Sequence, residues 1–494
     1  MLFNSYQFIL IFLPIVLVFF ILVNENYRFK IMLLTLASIL FYAYWNVKFT
    51  GLLLLSIIIN YALSKYIKRR NKSILYLSIF LNLALLGTFK YLGMFLDIFT
   101  YYLSKNILLP DFVLPLGISF YTFQQIVFQI DNYNNKVKNS DILEYTFFVT
   151  FFPQIIAGPI VHHKEIFSQI KKKVKLFRNF FVGISIFSIG LLKKVFIADN
   201  LAITSDSYFS AITSGYNPSI LESFLGTLSF TVQIYFDFSA YSDMALGLAY
   251  IFGFKLPLNF ASPYQAKSIS EFWRRWHITL SRFFKNYLYI PLGGNSKGIF
   301  ISFINLFLVM SLAGLWHGAS VNFILWGMIH GVFFVINHGY KKISEKLKFL
   351  KIHWFLCWFI TFFCINLSWV PFRTTNLSEA LVVWKSMFSI NNFYLPESIE
   401  ILGLPTKEFL QNIDYTGSFL LIFSLFIVLL VPNVYQLFSK YNFSFKSEGY
   451  FTNSYSKINF KWQANYLWLI LSILAIFLCF GEMSENKEFL YFQF

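Results

Sequence analysis

Gly314-Leu315-Trp316-His317-Gly318 places one imidazole between two apolar runs, residues 299–316 and 319–336. An ionisable side chain at membrane depth is costly to keep, and by default it faces a polar cavity inside the protein. Neutral imidazole, with an ordinary pKa of about 6.5, can take the proton of a hydroxyl attacking an activated acyl group and return it to the leaving group. General base is therefore the role read for His317. The alternative is a histidine hydrogen-bonded across helices for packing. Gly314 and Gly318 permit backbone or ligand to come close.

A second constellation is Glu271-Phe272-Trp273-Arg274-Arg275-Trp276-His277-Ile278-Thr279-Leu280-Ser281-Arg282. Paired guanidiniums at Arg274 and Arg275, flanked by Trp273 and Trp276, suit the phosphates of a nucleotide-bearing acyl donor. They equally suit snorkelling arginines and belt tryptophans at a membrane interface. His277 reads as either an interfacial structural residue or a second group of the active site. Asp237 and Asp243 lie inside the 223–252 run. Six positions apart on a helix they point in different directions, so they are expected to pair with hydroxyls or arginines and lock the bundle rather than act as an acid/base couple.

No metal is expected. His-x-x-x-His and Cys-x-x-Cys spacings are missing, and the adjacent side chains of His162 and His163 should diverge. Cys357, Cys364 and Cys479 all fall in apolar runs and read as small core hydrophobes. The aromatic tail, residues 488–494, resembles an interfacial anchor, and the residues alone favour that reading. It also presents Tyr491 as a phenol able to accept an acyl group.

These groups need a bilayer-spanning scaffold. Of the 494 residues, 57% are hydrophobic and only 13% charged, against about a quarter charged in soluble domains. The formal charge of +17 would suggest a nucleic-acid partner in a soluble chain. Here the Lys and Arg cluster in short connections between apolar runs, which is the positive-inside pattern, and no nucleic acid is expected. About twelve apolar spans are long enough for the hydrocarbon core, near 5–23, 31–47, 49–65, 73–104, 113–131, 176–198, 223–252, 299–316, 319–340, 353–371, 417–437 and 465–481. The run 5–23 lacks a basic n-region and a cleavage site, so it should remain as a helix. Segment 145–160 is broken by Pro153, Gly158 and Pro159 and is expected to dip in and return.

The basic connections are Lys65, Lys68, Arg69, Arg70 and Lys72; Lys164 and residues 171–175; Arg274, Arg275, Arg282 and Lys285; and Lys341, Lys342, Lys346, Lys348 and Lys351. With these cytoplasmic, both termini lie outside, and residues 253–298 form the longest cytoplasmic element. No soluble domain remains, so residues 1–494 read as one all-α, polytopic membrane domain. Its chemistry-bearing motifs concentrate in 225–340.

Together the motifs resemble those of the membrane-bound O-acyltransferases (MBOAT), in the bacterial branch that O-acetylates exported polysaccharides such as alginate and peptidoglycan. The matching residues are Pro115-Leu116-Gly117-Ile118-Ser119-Phe120-Tyr121-Thr122-Phe123-Gln124, Phe152-Pro153-Gln154-Ile155-Ile156-Ala157-Gly158-Pro159-Ile160, Phe236-Asp237-Phe238-Ser239-Ala240-Tyr241-Ser242-Asp243, residues 271–281, Tyr289-Ile290-Pro291-Leu292-Gly293-Gly294-Asn295 and Leu315-Trp316-His317-Gly318-Ala319. The resemblance implies that His317 is the family's catalytic histidine and His277 its second, cytoplasm-proximal one. It also implies a helical bundle with re-entrant segments around a transmembrane funnel in the bacterial inner membrane.

The 289–295 run resembles the polysaccharide acetylators more than the teichoic acid D-alanyl transferases, which makes acetyl-CoA the implied donor. An SGNH-type esterase-like protein outside is the implied partner, passing the acetyl group to a polysaccharide. The tail Phe489-x-Tyr491-x-x-Phe494 resembles an aromatic motif whose tyrosine is proposed to carry the acyl group, which raises Tyr491 above the anchor reading. Ala240 stands where the family often has Gly, and Val321-Asn322 where Trp and a small polar residue are common. The expected activity is acetyl transfer through His317 and an acyl relay. D-alanyl transfer is the rival within the family. A proton-coupled transporter or flippase using Asp237, Asp243 and His317 is the rival from another class.

Overall fold

The structure is a computed structural model that describes residues 1–67, 71–103, 113–137, 141–347, 352–397, 406–410, 415–445, 462–483 and 488–490. Tyr491 and the loop cations Lys68, Arg69, Arg70, Lys348 and Lys351 lie outside them. Every expected span contains a helix, and the described strands are two-residue pairs. Among the described residues, six helices are long and apolar enough to cross a membrane: Val47–Ile67, Lys72–Lys90, Leu176–Thr213, Ile299–His317, Val321–Lys346 and Trp354–Arg373. Gln7–Val23, Gly417–Leu430 and Tyr466–Glu482 are shorter apolar helices. The chain is a multi-pass, membrane-embedded protein. Its rim carries large apolar side chains turned outward, such as Leu22 at 73% and Phe300 at 72% exposure, as a hydrocarbon solvent allows.

Local signals set the helix ends. Asn71 accepts from the backbone N–H groups of Ser73 and Ile74 to start Lys72–Lys90. Ser219 and Glu222 form a reciprocal capping box that starts Ile220–Ile251. From Ser229 to its end that helix is buried on every side. A helix buried all round is the centre of a bundle, and here the first half of Leu176–Thr213 packs along it.

The expected run 73–104 is two helices, Lys72–Lys90 and Leu92–Leu103, separated at Tyr91. Residues 145–160 do dip and return: helix Ile142–Thr150 ends in an irregular buried stretch, and His162 then meets Asp131, near the level at which the helix began. One expectation fails. Residues 253–298 are not simply an external element, because helices Ile269–Arg275 and Ile278–Phe284 form a buried hairpin that enters the bundle. Its base is tied near the basic connections by Ser270 Oγ to Asn337 (2.6 Å) and by Arg282 to Glu165 (2.6 Å), while its tip reaches Phe238 in the middle of the central helix. Four charged side chains, Glu271, Arg274, Arg275 and Arg282, hid a hairpin that is otherwise largely apolar and aromatic.

Candidate active site

His277 is the tip of that hairpin. Its backbone has φ 41°, a left-handed conformation that few non-glycine residues adopt. The turn is held by neighbours: Asn259 accepts from the backbone of Ile278 (3.0 Å) and from Thr279 Oγ1 (2.7 Å), and Ile160 N–H donates to the same Thr279 oxygen (2.9 Å). The broken 145–160 segment and the hairpin thus share one buried junction. At the hairpin's start Ser268 accepts from Glu271 N–H (3.1 Å), and the Glu271 carboxylate accepts from Lys267 N–H (2.9 Å).

His317 ends the helix Ile299–His317. The ring of Trp316 stands between the two histidines, 4.9 Å from His317 and 6.1 Å from His277 by centroids. Trp326 at 5.1 Å and Phe372 at 5.2 Å wall the His317 imidazole edge to face. Lys90 Nζ donates to the carbonyls of Trp316 (2.6 Å) and His317 (3.0 Å), a cation on the negative end of the helix dipole. The following helix crosses at contact distance, because a Cβ on Gly314 would strike the Phe323 carbonyl and Gly327. The aromatic cage and the capped helix end fix the imidazole in place.

Space opens beside it on one side, and a separate cleft lies toward the other. Away from the basic face, His317 lines a cavity of about 360 Å³ with Met1, Lys90, Pro115 and Glu488. At the basic face a cleft of about 380 Å³ is lined by Arg274, Ser281, Lys285, Met310 and Ala313. Ala313 precedes His317 by one helical turn, about 6 Å of rise, so the cleft borders the helix that carries the imidazole one turn before it. A void of about 10 Å³, room for no more than about one water, joins His317 to Asp237, Trp276, Phe372 and Leu490. This arrangement can bring a donor from one face and an acceptor from the other to one base.

The four donor-site candidates are split. Arg274 is exposed and lines the cleft with Trp273. Arg275 is buried, and its guanidinium is committed to Glu271 (2.8 Å) and to the Ala261 carbonyl (2.9 Å). Trp276 is packed against Phe272 and Trp369, and Trp273 Nε1 donates to His330 Nδ1 at 3.2 Å. Asp237 and Asp243 are not an acid/base couple: each is paired with a lysine, Asp237 with Lys194 (2.7 Å) and Asp243 with Lys193 (2.6 Å). Asn322, at one departure from the family pattern, donates to the Thr374 carbonyl (2.9 Å).

His162 and His163 do not diverge. Their ring centroids are 4.1 Å apart, and both approach Asp131, with His162 Nε2 hydrogen-bonded to it and His163 Nδ1 at 3.8 Å. The short helix that begins at His163 turns the two rings the same way. Ligand atoms of the three residues lie within 4.8 Å of one another, so this is where a metal could be held. Burial and the adjacent His162 lower the His163 pKa to about 3, which keeps that ring neutral. The three described cysteines are free thiols, and only Cys479 is fully buried.

Lys90, Lys193, Lys194 and His330 went unnoticed in the sequence. The available signal was the one that marked His317: each is an ionisable residue inside an apolar run.

Residues 39–365 match the model of the membrane-bound O-acyltransferase family. A peptidoglycan O-acetyltransferase of Helicobacter pylori is 42% identical over 452 residues, 84% of each chain. A probable alginate O-acetylase AlgI of Pseudomonas putida is 39% identical over 408 residues, 80% of this chain and 82% of its own. A teichoic acid D-alanyltransferase of Bacillus subtilis is 29% identical over 246 residues, 48% of this chain and 62% of its own.

Proposed function

Since the chain belongs to the membrane-bound O-acyltransferase family and is an acyltransferase, we propose that it acetylates an exported polysaccharide from the cytoplasmic membrane of a bacterium. The donor is acetyl-CoA, bound at the basic face, which is cytoplasmic. Its phosphates lie near Arg274 and Lys285 at the mouth of the cleft, and its thioester reaches in beneath His317. The observation that carries this reading is a single caged imidazole with a cleft below it and a cavity above it.

In the transfer step a hydroxyl oxygen attacks the thioester carbonyl while neutral His317 takes its proton. The C–S bond then breaks, and the imidazolium returns the proton to the departing CoA thiolate. The first acceptor is Tyr491, whose phenol becomes an acetyl ester. An extracytoplasmic SGNH-type partner then moves the acetyl group to the polymer, peptidoglycan, alginate or a similar glycan. Lipid covers the apolar rim. Acetyl is preferred to D-alanyl because the relatives that align along most of the chain carry O-acetylation in their names. The transporter reading is weakened because Asp237 and Asp243 are taken up by lysines.

The experiment offers radiolabelled acetyl-CoA to membranes with and without a partner extract. Wild-type protein should pass label to an acceptor outside, and His317→Ala should not. Full transfer by His317→Ala would remove the base from this mechanism. Label from a charged carrier protein, with none from acetyl-CoA, would replace the donor.

A further inference from the structure

Lys194 sits on the π-helical turn Lys193–Ala198, within the long helix Leu176–Thr213. Local π geometry of this sort is enriched at functional sites. Its ammonium has three hydrogens, and three acceptors surround it: Asp237 Oδ1 at 2.7 Å, Asp199 Oδ1 at 2.8 Å and the Glu488 carbonyl at 3.0 Å. The other carboxylate oxygen of Asp237 accepts the backbone N–H of Leu490 at 2.9 Å. Between them Phe489 lies 4.5 Å from the ammonium and stacks edge-on against Tyr241 at 5.1 Å. Residues 488–490 are almost three hundred positions from Lys194, yet they supply one acceptor, one donor and one ring to a single buried ion pair.

A pair that served only to lock two helices would need none of this. Lys194 takes one oxygen of Asp237, and the Leu490 N–H gives the other a hydrogen bond inside the protein. Phe489 and Leu490 are 1% and 7% exposed, so the segment is inserted rather than draped. Its insertion completes the chamber of the base. Leu490 lines the small void beside His317, and Glu488 lines the cavity on the far side of the same imidazole.

We infer that Lys194 and Asp237 form a cradle that seats residues 488–490 as one wall of the His317 chamber, and that acyl transfer requires the wall to be seated. Lys194 is a positioning residue, and it acts on the acceptor side. This deepens the O-acetyl transfer reading and rests on it. The cleft lined by Arg274 is built from other elements, so donor binding does not depend on the cradle.

The test uses the full chain with Leu490→Cys, at a position buried while the segment is seated, a membrane-impermeant maleimide on intact cells, and label transfer from acetyl-CoA in membranes. The unsubstituted chain, with its own three cysteines, serves as the blank. Lys194→Met should raise the labelling rate of the introduced cysteine roughly tenfold, as local opening exposes the segment. It should lower kcat for transfer by about a hundredfold, the scale of a misplaced reacting group, with KM for acetyl-CoA unchanged. Lys194→Arg should recover part of both. Phe489→Ala leaves every ion pair intact and should show the same split, which covers the case in which Lys194→Met does not fold. Unchanged labelling and transfer in Phe489→Ala would overturn the proposal, as would a loss of transfer that came through KM. If even the wild-type chain takes no label from acetyl-CoA, the donor reading fails, while the maleimide rates still decide whether the cradle holds the segment.

Discussion

The ammonium of Lys90 lies 3.0 Å from the carbonyl oxygen of His317, so the residue carrying the imidazole is pinned at its backbone by a cation from a helix more than two hundred positions earlier. Charged hydrogen bonds of this kind contribute about 1.5–3 kcal/mol. Lys90→Met should therefore lower the thermal midpoint of the purified protein and reduce transfer, with the His317 side chain intact. Lys90→Arg, which keeps the charge at the helix end, should restore most of the midpoint. Equal midpoints for wild type and Lys90→Met would show that this cap contributes nothing.

His317→Ala should abolish transfer, a loss of about 10²–10⁴-fold for a general base. His277 is the more instructive residue, because its φ of 41° gives it a conformational task as well as a chemical one. Asparagine is the non-glycine residue that best tolerates that conformation, so His277→Asn should leave the midpoint near wild type. If transfer survives in His277→Asn and falls in His277→Ala, the residue shapes the hairpin. If both variants lose transfer at an unchanged midpoint, the imidazole itself is required.

The helices were legible because apolar runs of spanning length are the strongest signal in the chain, and His317 was legible because it interrupts two of them. The hairpin 269–284 was not. Its three arginines mimic an external loop, while its aromatic residues are buried in a chamber formed by helices far away in sequence. Arg274 and Arg275 look alike in the sequence. Helical rotation of roughly 100° per residue then turns one to the cleft and the other to Glu271. The approach of His162 and His163 was lost for a similar reason, since it depends on a helix start that brings both rings to Asp131.

That rotation gives a paired prediction. Arg274→Ala should raise KM for acetyl-CoA several-fold with kcat nearly unchanged, and raised salt should shrink the difference, as for a partly exposed phosphate contact. Arg275→Ala should instead cost about 3 kcal/mol or more, because it takes the charged partner from the largely buried Glu271 carboxylate. Its signature is loss of folded protein in a thermal melt. A soluble, well-folded Arg275→Ala with only a raised KM would put both arginines in the donor site.

Gly314→Ala is expected to be severe for so small a change. The added methyl meets the Phe323 carbonyl and the Gly327 backbone, neither of which can rotate away. The helix bearing His317 must then move off its neighbour, and the cage of Trp326 and Phe372 opens. Overpacking costs about 1–3 kcal/mol, but the displacement should be felt more strongly in transfer than in the melt. A Gly314→Ala enzyme with wild-type turnover would mean that the imidazole tolerates movement of its helix.

The cluster of Asp131, His162 and His163 invites the question of a metal, and its surroundings weigh against one being held there. Asp131 already accepts from Tyr287 (3.1 Å) and is hydrogen-bonded to His162, with Lys136 at 3.7 Å from its other oxygen. A divalent cation would have to displace those partners and sit among Lys136, Lys164 and Arg282, which line the same cavity. Exhaustive treatment with a chelator should therefore leave the rate of label transfer unchanged, and metal analysis of the purified protein should find less than one zinc per chain. Loss of transfer on chelation, regained with zinc and missing from His163→Ala, would make this cluster a working metal site.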